Sequence, residues 1–414
     1  MKICIHRGAN QIGGSCVEVE CRGKRIVLDV GLTLNVVSPD DVELPDVPGF
    51  TSPDPSLLAV IISHPHQDHY GLVSKINNDI PIVIGAAAQR ILEVAGLFTG
   101  NKVQFSNVMH LIDRKQIDLG PFRITPFLMD HSAFDSYAVL VEAGNKKLFY
   151  TGDLRAHGRK GPLFYKLIDN PPPNVDVLLM EGTTISRIDN DDGFPKEDDV
   201  ENEMVKAFRQ MRGMGLVMCT GQNVDRLVTI FKACIRSDRK FIVDMYTAEV
   251  LRATGNPNIP QADWEQICVY LPENQKKKIK RAKAFNVSNR YRNDRIYPEK
   301  LEAVASRSVL LVRQSMINEL EEADCLECAG LIYSMWDGYL KKPEMKPFLD
   351  WVAKWKIPMV KCHTSGHASV KDLQQLKAAF PEAIVVPIHT DNPERFKYLF
   401  KQAAIHRDKE WWDV

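Results

Sequence analysis

A chain of 414 residues is longer than one ordinary hydrophobic core accommodates, so two domains are expected. With 44% hydrophobic and 26% charged residues it has the composition of a globular protein, and no run reaches the roughly 18 apolar residues of a membrane span. Lys plus Arg and Asp plus Glu number 53 each, which excludes an argument from net charge for a polyanionic partner and leaves only local basic surface.

The opening Met1-Lys2-Ile3-Cys4-Ile5-His6 is strand-like and contains no signal-peptide apolar core. The nine cysteines are scattered and odd in number, which suits a reducing compartment. A cytoplasmic location and no membrane partner are therefore expected. Cys325-Leu326-Glu327-Cys328 is a single CxxC without a second pair, and reads as incidental thiols rather than a metal or redox site.

Residues 1–31 alternate as a β-meander. Ile3 and Ile5 begin it, Gly13-Gly14 turns the chain, and Val17 and Val19 alternate with charged residues. Residues 25–30 form another strand, which ends in Leu28-Asp29-Val30-Gly31. An acid beside a glycine at a strand end is ordinarily a turn cap. Residues 36–56 carry five prolines and predict a long loop near the mouth of a site, of the kind that is functional or mobile.

Residues 57–62 are an apolar run that reads as a buried strand, followed by Ser63-His64-Pro65-His66-Gln67-Asp68-His69-Tyr70-Gly71. Neutral imidazole and carboxylate are the ligands that hold Zn²⁺. His64 and His66 can point the same way, because side chains of an extended segment repeat every two residues. Asp68 and His69 lie one short turn further on and can face a second ion. A catalytic zinc usually takes three protein ligands and leaves a position for water, so two ions sharing the cluster is the simpler reading.

Residues 86–95 have helical spacing. Residues 122–128 form a strand ending in Met129-Asp130-His131-Ser132. Strands 136–142 and 147–151 follow across a Gly144-Asn145 turn, the second running into Gly152-Asp153. Residues 175–180 are a further apolar strand ending in Glu181-Gly182. A single histidine or acid at a strand end is ordinarily structural; beside the cluster at 64–69, His131 and Asp153 become candidate ligands.

From about residue 195 the character changes. Strands at 216–219, 241–245, 267–271, 309–312 and 331–334 alternate with helices, the pattern of a parallel α/β sheet. Residues 275–295 include Lys276, Lys277, Lys278, Lys280 and Arg281, and carry nine basic residues against one acid, a local charge of +8. The stretch reads either as a solvated helix face or as a groove tracking a phosphate backbone, with Phe285 and Tyr291 available for stacking. Residues 347–354 read as a helix whose Trp351 and Trp355 face a core. Strand 359–362 leads into His363-Thr364-Ser365-Gly366-His367-Ala368-Ser369, and Ser369 suits the start of a helix to residue 380. Residues 383–388 form the last strand, followed by His389. The tail Trp411-Trp412-Asp413-Val414 carries no readable pattern.

The His-x-His-x-Asp-His run resembles the signature of the metallo-β-lactamase fold hydrolases. Glu181, His367 in Ser365-Gly366-His367-Ala368, and His389 are similar, in order, to motifs A, B and C of the β-CASP nucleases, the branch that includes ribonuclease J. The resemblance covers nearly the whole chain. It implies an α/β fold, an αββα metallo-β-lactamase sandwich in two parts, residues 1–195 and 346–414, with a β-CASP α/β domain inserted at 196–345.

By the same resemblance His64, His66 and His131 bind one zinc, and Asp68, His69 and His389 a second, with Asp153 bridging them: two Zn²⁺ per chain, for which Mn²⁺ is a substitute. Asp29 hydrogen-bonds within the metal site. The implied activity is that of a zinc-dependent ribonuclease with Asp68, His367 and Glu181 as catalytic residues. A hydroxide shared by the two ions attacks phosphorus, and His367, oriented by Glu181, protonates the leaving oxygen. Ser365, Gly366 and Ser369 hold a phosphate. His363 either contacts the scissile phosphate or packs as a strand-end histidine.

A histidine at the position of His389 goes with RNA-active members of the group. The partner is then single-stranded RNA, with 5′-to-3′ exonuclease action on a 5′-monophosphate, and endonuclease action as a second mode. The alternatives are hydrolysis of DNA or of a small ester or thioester, and a non-catalytic RNA-binding scaffold. Two departures from ribonuclease J stand out. The chain stops at Val414, where longer members continue into a C-terminal domain, which leaves the oligomeric state open. Thr390-Asp391-Asn392-Pro393 follows His389 in place of Gly-Glu.

Overall fold

Period-2 alternation builds the first sheet. β1 (Lys2–Arg7), β2 (Cys16–Cys21) and β3 (Lys24–Leu28) pair antiparallel. The tight turn of this meander is Arg22-Gly23, both at positive φ, as a two-residue hairpin demands; Gly13-Gly14 lies within a longer loop between β1 and β2. β4 (Leu57–Ile61), β5 (Ile82–Gly85) and β6 (Val108–Leu111) extend the sheet in parallel. β7 (Ile117–Leu119), β8 (Phe122–Met129), β9 (Ser136–Ala143) and β10 (Lys146–Tyr150) form a second, antiparallel run. β11 (Val177–Glu181) joins β10 in parallel.

The structure, a computed structural model, describes residues 1–34, 36, 38–186 and 193–414. Two compact units emerge: Met1–Leu92 with Val103–Phe194 and Gly366–Val414, and Glu93–Lys102 with Pro195–Ser365.

In the second unit β12 (Gly215–Met218), β13 (Lys240–Asp244), β14 (Ile267–Tyr270), β15 (Arg295–Ile296), β16 (Ser308–Leu311), β17 (Gly330–Tyr333) and β18 (Met359–Lys361) form one sheet in the order β15-β14-β13-β16-β12-β17-β18. Every pairing in it is parallel, as expected where helices follow strands. The return to the first unit falls at Gly366 rather than at residue 346. The physical reason is packing: the helix Lys346–Lys354 gives Phe348, Trp351 and Val352 to the core of the second unit, and β18 pairs with β17. Trp355 departs from the expected core role, remaining partly exposed while its indole N–H donates to Glu321 at 2.6 Å.

Back in the first unit, β19 (Ile384–Ile388) pairs with β11 in parallel, and β20 (Trp411–Asp413), the unreadable tail, pairs antiparallel with β1. The two sheets, ordered β20-β1-β2-β3-β4-β5-β6 and β19-β11-β10-β9-β8-β7, enclose one core. Val17, Val19, Ile26 and Leu28 from the first sheet meet Val139, Val141, Leu148 and Val177 from the second. The outer faces are covered by helices: Ala88 and Leu92 lie on one side, Phe164, Leu373 and Leu376 on the other. This is the αββα sandwich, with the C-terminal ends of β3, β4, β8, β10, β11 and β19 along one edge. The proline-rich loop is pinned rather than loose: Val47 and Phe50 are buried in the outer core, and the Pro48 carbonyl accepts from Arg25 at 2.8 Å; Val37 lies outside the described residues. No helix among the described residues is long and apolar enough to cross a membrane.

Candidate metal centre

After β4 the chain bends at His64-Pro65, and His66 is the N-cap (φ −93°, ψ 144°) of the one-turn helix Gln67–Tyr70. This sends His64 and His66 to one side and Asp68 and His69 around the turn. The helix is held by backbone bonds to the end of β3: Val30 N–H donates to the His69 carbonyl at 2.8 Å and Leu32 N–H to the Gln67 carbonyl at 2.9 Å. Gly31 lies beneath it, and a Cβ built there stands 1.8 Å from the Asp68 carbonyl oxygen. Gly31→Ala must therefore push the helix away. The expected result is a loss of about 3 kcal/mol in denaturant unfolding together with weakened metal binding.

The other ligands come from strand ends of the second sheet: His131 after β8, Asp153 after β10, Glu181 at the end of β11 and His389 after β19. The structure brings His64, His66, His131 and Asp153 together in one group, and Asp68, His69, Asp153 and His389 in a second. A third contains Asp153, Glu181, His367 and His389, and in all three the ligand atoms lie within 4.8 Å of one another. Asp153 belongs to every group. Its Oδ2 lies 3.2 Å from His69 Nε2, 3.7 Å from His64 Nε2 and 4.0 Å from His131 Nε2.

Asp29 stands behind the site, fully buried and at φ 60°, a left-handed conformation that strains a non-glycine residue. Its Oδ1 accepts from Ser63 N–H at 2.7 Å, and its Oδ2 from the Ser63 hydroxyl at 2.8 Å, the Tyr150 hydroxyl at 2.6 Å and His69 Nδ1 at 2.8 Å. The Ser63 hydroxyl, having donated to Asp29, accepts from His64 Nδ1 at 3.0 Å. Both rings thus donate from Nδ1 and turn Nε2 inward; burial opposes a charge on His69, but Asp153 and Asp29 raise it well above the usual histidine range, so at its Nε2 a cation would take the place of a proton. Thr183 does the same for His389, whose Nδ1 lies 2.8 Å from the Thr183 hydroxyl and whose Nε2 faces Asp68 Oδ2 at 3.2 Å. Ser63, Tyr150 and Thr183 had no role in the sequence reading. The signal for Tyr150 was a polar tip on an inward-facing position of β10, which a buried hydroxyl must satisfy. Asp29→Ala is expected to lower metal affinity by about 10–100-fold, read by competition with a chromophoric chelator.

These residues fit a divalent cation. Both carboxylate oxygens of Asp153, with the Nε2 atoms of His64 and His69, are buried without a hydrogen-bond partner. Such a set is costly to bury unless a cation satisfies it. Burial pushes His64 and His131 well below the usual histidine range and carries His66 down to about 4, so these imidazoles are neutral and have lone pairs to offer. Burial opposes ionisation of Asp68 and Asp153, yet the facing histidines hold both carboxyls below the usual range.

His367 Nδ1 lies 3.1 Å from Glu181 Oε2 and 3.6 Å from Asp153 Oδ2. Burial works against its charge, but Glu181 and Asp153 raise it above the ordinary histidine value. Glu181 is oriented by Leu154 N–H at 3.0 Å. Gly366 belongs to the first unit, where a Cβ would meet the Ser132 hydroxyl at 2.6 Å. Ser369 is the N-cap of the helix Val370–Ala379, and both its hydroxyl and its N–H are engaged in a capping box with Asp372. His363 and Ser365 belong to the second unit. There Arg226, fully buried and paired with Glu197 at 3.1 Å, reaches His363 Nδ1 at 3.3 Å.

The basic stretch forms the helices Glu273–Arg281 and Phe285–Arg290 of the second unit. Lys276, Lys277, Lys280 and Arg281 are exposed, whereas Lys278 is partly buried and donates to the Phe98 carbonyl. Tyr291 is not available for stacking: it is 4% exposed, with its hydroxyl on Glu249. Phe285 within the stretch and Tyr297 just beyond it are exposed.

The sandwich and the ligand cluster at its strand ends define a metallo-β-lactamase-fold protein, and residues 24–220 match the model of the beta-lactamase superfamily domain. Within that class the chain is similar to ribonuclease J of Mycolicibacterium smegmatis, 24% identical over 58% of this chain and 44% of that one. It is likewise similar to an RNase J-like protein of Methanocaldococcus jannaschii, 26% identical over 61% of this chain and 59% of that one. The chain thus spans less than two thirds of these curated relatives. A solved structure, a protein of unknown function from Enterococcus faecalis V583, shares the fold over 99% of both chains with a TM-score of 0.80 and 20% identity.

Proposed function

We propose that the chain is a zinc-dependent ribonuclease that hydrolyses RNA phosphodiester bonds, chiefly as a 5′-to-3′ exonuclease, and that its second unit is a β-CASP domain inserted into the metallo-β-lactamase sandwich. The observation that carries this reading is the sharing of Asp153 by two four-residue ligand groups, with the His367–Glu181 pair beside them. Two divalent cations held there supply a water of lowered pKa and a clamp for phosphate oxygens. The chain's own part is to place and protonate. Asp29, Ser63 and Thr183 set the tautomers of the ligand histidines, and Glu181 holds His367 so that the ring can deliver a proton to the leaving oxygen. Gly366, beside His367, and the helix start at Ser369 are assigned to a substrate phosphate, with His363 and Ser365 from the segment just before them. Mn²⁺ suits the same donor set.

The test uses one RNA in 5′-monophosphate and 5′-triphosphate forms, labelled at its 5′ end, with purified protein and Zn²⁺ or Mn²⁺. A labelled mononucleotide from the monophosphate form alone supports the exonuclease. Internal fragments from both forms support an endonuclease. No cleavage of either, with metal shown to be bound, rejects the ribonuclease and moves the reading to DNA or a small ester or thioester.

The exposed basic helix supports a polyanionic substrate. Lys277, Lys280 and Arg281 carry most of this, because Lys276 is paired with Glu273 at 3.2 Å and Lys278 with a carbonyl. Replacing those three by alanine is expected to flatten the log–log salt dependence of RNA binding by about 2, at roughly 0.7 per phosphate of a single strand, with kcat unchanged. An unchanged slope assigns the helix to a solvated face.

A further inference from the structure

Glu181 and His367 transfer and orient a proton in the reading above, yet the pair has nearly the dimensions of a metal chelate. Glu181 Oε2 and His367 Nδ1 stand 3.1 Å apart. Two ligand atoms each about 2.0–2.2 Å from one zinc ion at a tetrahedral angle are separated by roughly 3.3–3.6 Å. The pair therefore has to open by only a few tenths of an ångström to hold a cation in place of the proton. Glu181 is buried and its Oε1 is fixed by Leu154 N–H at 3.0 Å, which aims Oε2 at the histidine. The His367 side chain is 22% exposed, the most open of this group, so an ion can enter from solvent. Asp153 and His389 complete the group geometrically, but both also belong to the other two.

We propose that Glu181 and His367 form a third, weaker transition-metal site, and that filling it switches the reaction off. With Asp153 and His389 engaged by the two stronger ions, this site has two protein ligands and completes its shell with water, which makes it weaker. Binding displaces the Nδ1 proton of His367 to solvent. The metallated ring then keeps only its Nε2 proton, and releasing that leaves an imidazolate, so it no longer acts as the acid. Zn²⁺, which accepts nitrogen and oxygen together, is the ion expected. Mg²⁺ demands octahedral oxygen ligands and keeps its waters, so it does not fill the site. The inhibition rests on the assignment of His367 as proton donor, whereas the binding does not.

The experiment measures Zn²⁺ stoichiometry of the full chain by equilibrium dialysis with elemental analysis, in the absence of RNA. The expected result is three equivalents at high free Zn²⁺, falling to two in Glu181→Gln and in His367→Ala. Turnover should decline over the same Zn²⁺ range that fills the third equivalent, with no decline in equal Mg²⁺. A wild-type limit of two equivalents, or a third that survives both substitutions, overturns the site. Three equivalents with undiminished turnover overturns the inhibition. A chain that binds three equivalents but cleaves no RNA rejects the ribonuclease and leaves the site standing.

Discussion

Asp153→Ala is expected to lower kcat/KM by about 10⁴-fold or more while the fold survives, a loss of about 5 kcal/mol in transition-state stabilisation. The reason is geometric. Asp153 is the single carboxylate common to every ligand group, and its two oxygens have no other buried partner. Metal content should fall with activity. The metal dependence of stability separates this from damage. Without metal, Asp153 still faces the histidines that hold its carboxyl below the usual range, so in chelator the variant should melt lower than the wild type by the loss of that contribution alone. With metal at about 1,000 times its dissociation constant the wild type should gain about 4 kcal/mol, which the variant forgoes. Asp68→Ala strikes only the second group and should remove one equivalent rather than both. An Asp153→Ala protein with full metal content and turnover would falsify the shared-carboxylate site.

His367→Ala should leave both metal equivalents in place and still cost about 10²–10⁴-fold in kcat, the scale of a lost general acid. The discriminating measurement is a pair of substrates. A nucleotide ester with a nitrophenolate leaving group needs no proton, so the variant should cleave it nearly as well as the wild type. Natural RNA, whose leaving oxygen must be protonated, should show the full loss. An equal loss on both substrates would mean that His367 positions the phosphate instead. Glu181→Gln should follow the same pattern more weakly, because the amide still accepts from Leu154 but no longer stabilises a charged ring.

The parts of the fold that could be read from residues are those with a short period and local partners. β1 to β3 alternate, β4 and β11 are continuous apolar runs, and the ends of β4, β8, β10 and β11 carry ligands. β5, β6 and β7 went unread although the equally short β12, β14, β16 and β17 were legible from the repeat of strand and helix; β20 went unread because its strand character comes from pairing with β1 some 400 residues away in sequence. The boundary at 346 looked natural because a proline-started helix begins there. What decides it is the burial of Phe348 and Trp351 in another core, and spacing carries no such information. The site divides in the same way. The histidines and Asp153 are rare residues at strand ends and stand out. Ser63, Tyr150 and Thr183 are common there, and acquire a task only once two sheets stack and turn their hydroxyls toward Asp29, His64 and His389. Tyr291 was misread for the converse reason: an aromatic in a basic run looks like a stacking platform until its hydroxyl is found buried on Glu249.

The spread of the ligands along the chain has a consequence during synthesis. His64, His66, His131 and Asp153 have all left the ribosome once the first 153 residues and their tunnel-length tail are made. The second group waits for His389, which the last strand of the sandwich delivers beside β11 after the whole second unit has been translated. A nascent chain therefore presents Asp68, His69 and Asp153 of the second group well before its fourth member. During the more than 200 residues of elongation that separate Asp153 from His389, the proposed two-ion site lacks its last ligand, beside the very class of molecule it is proposed to cut.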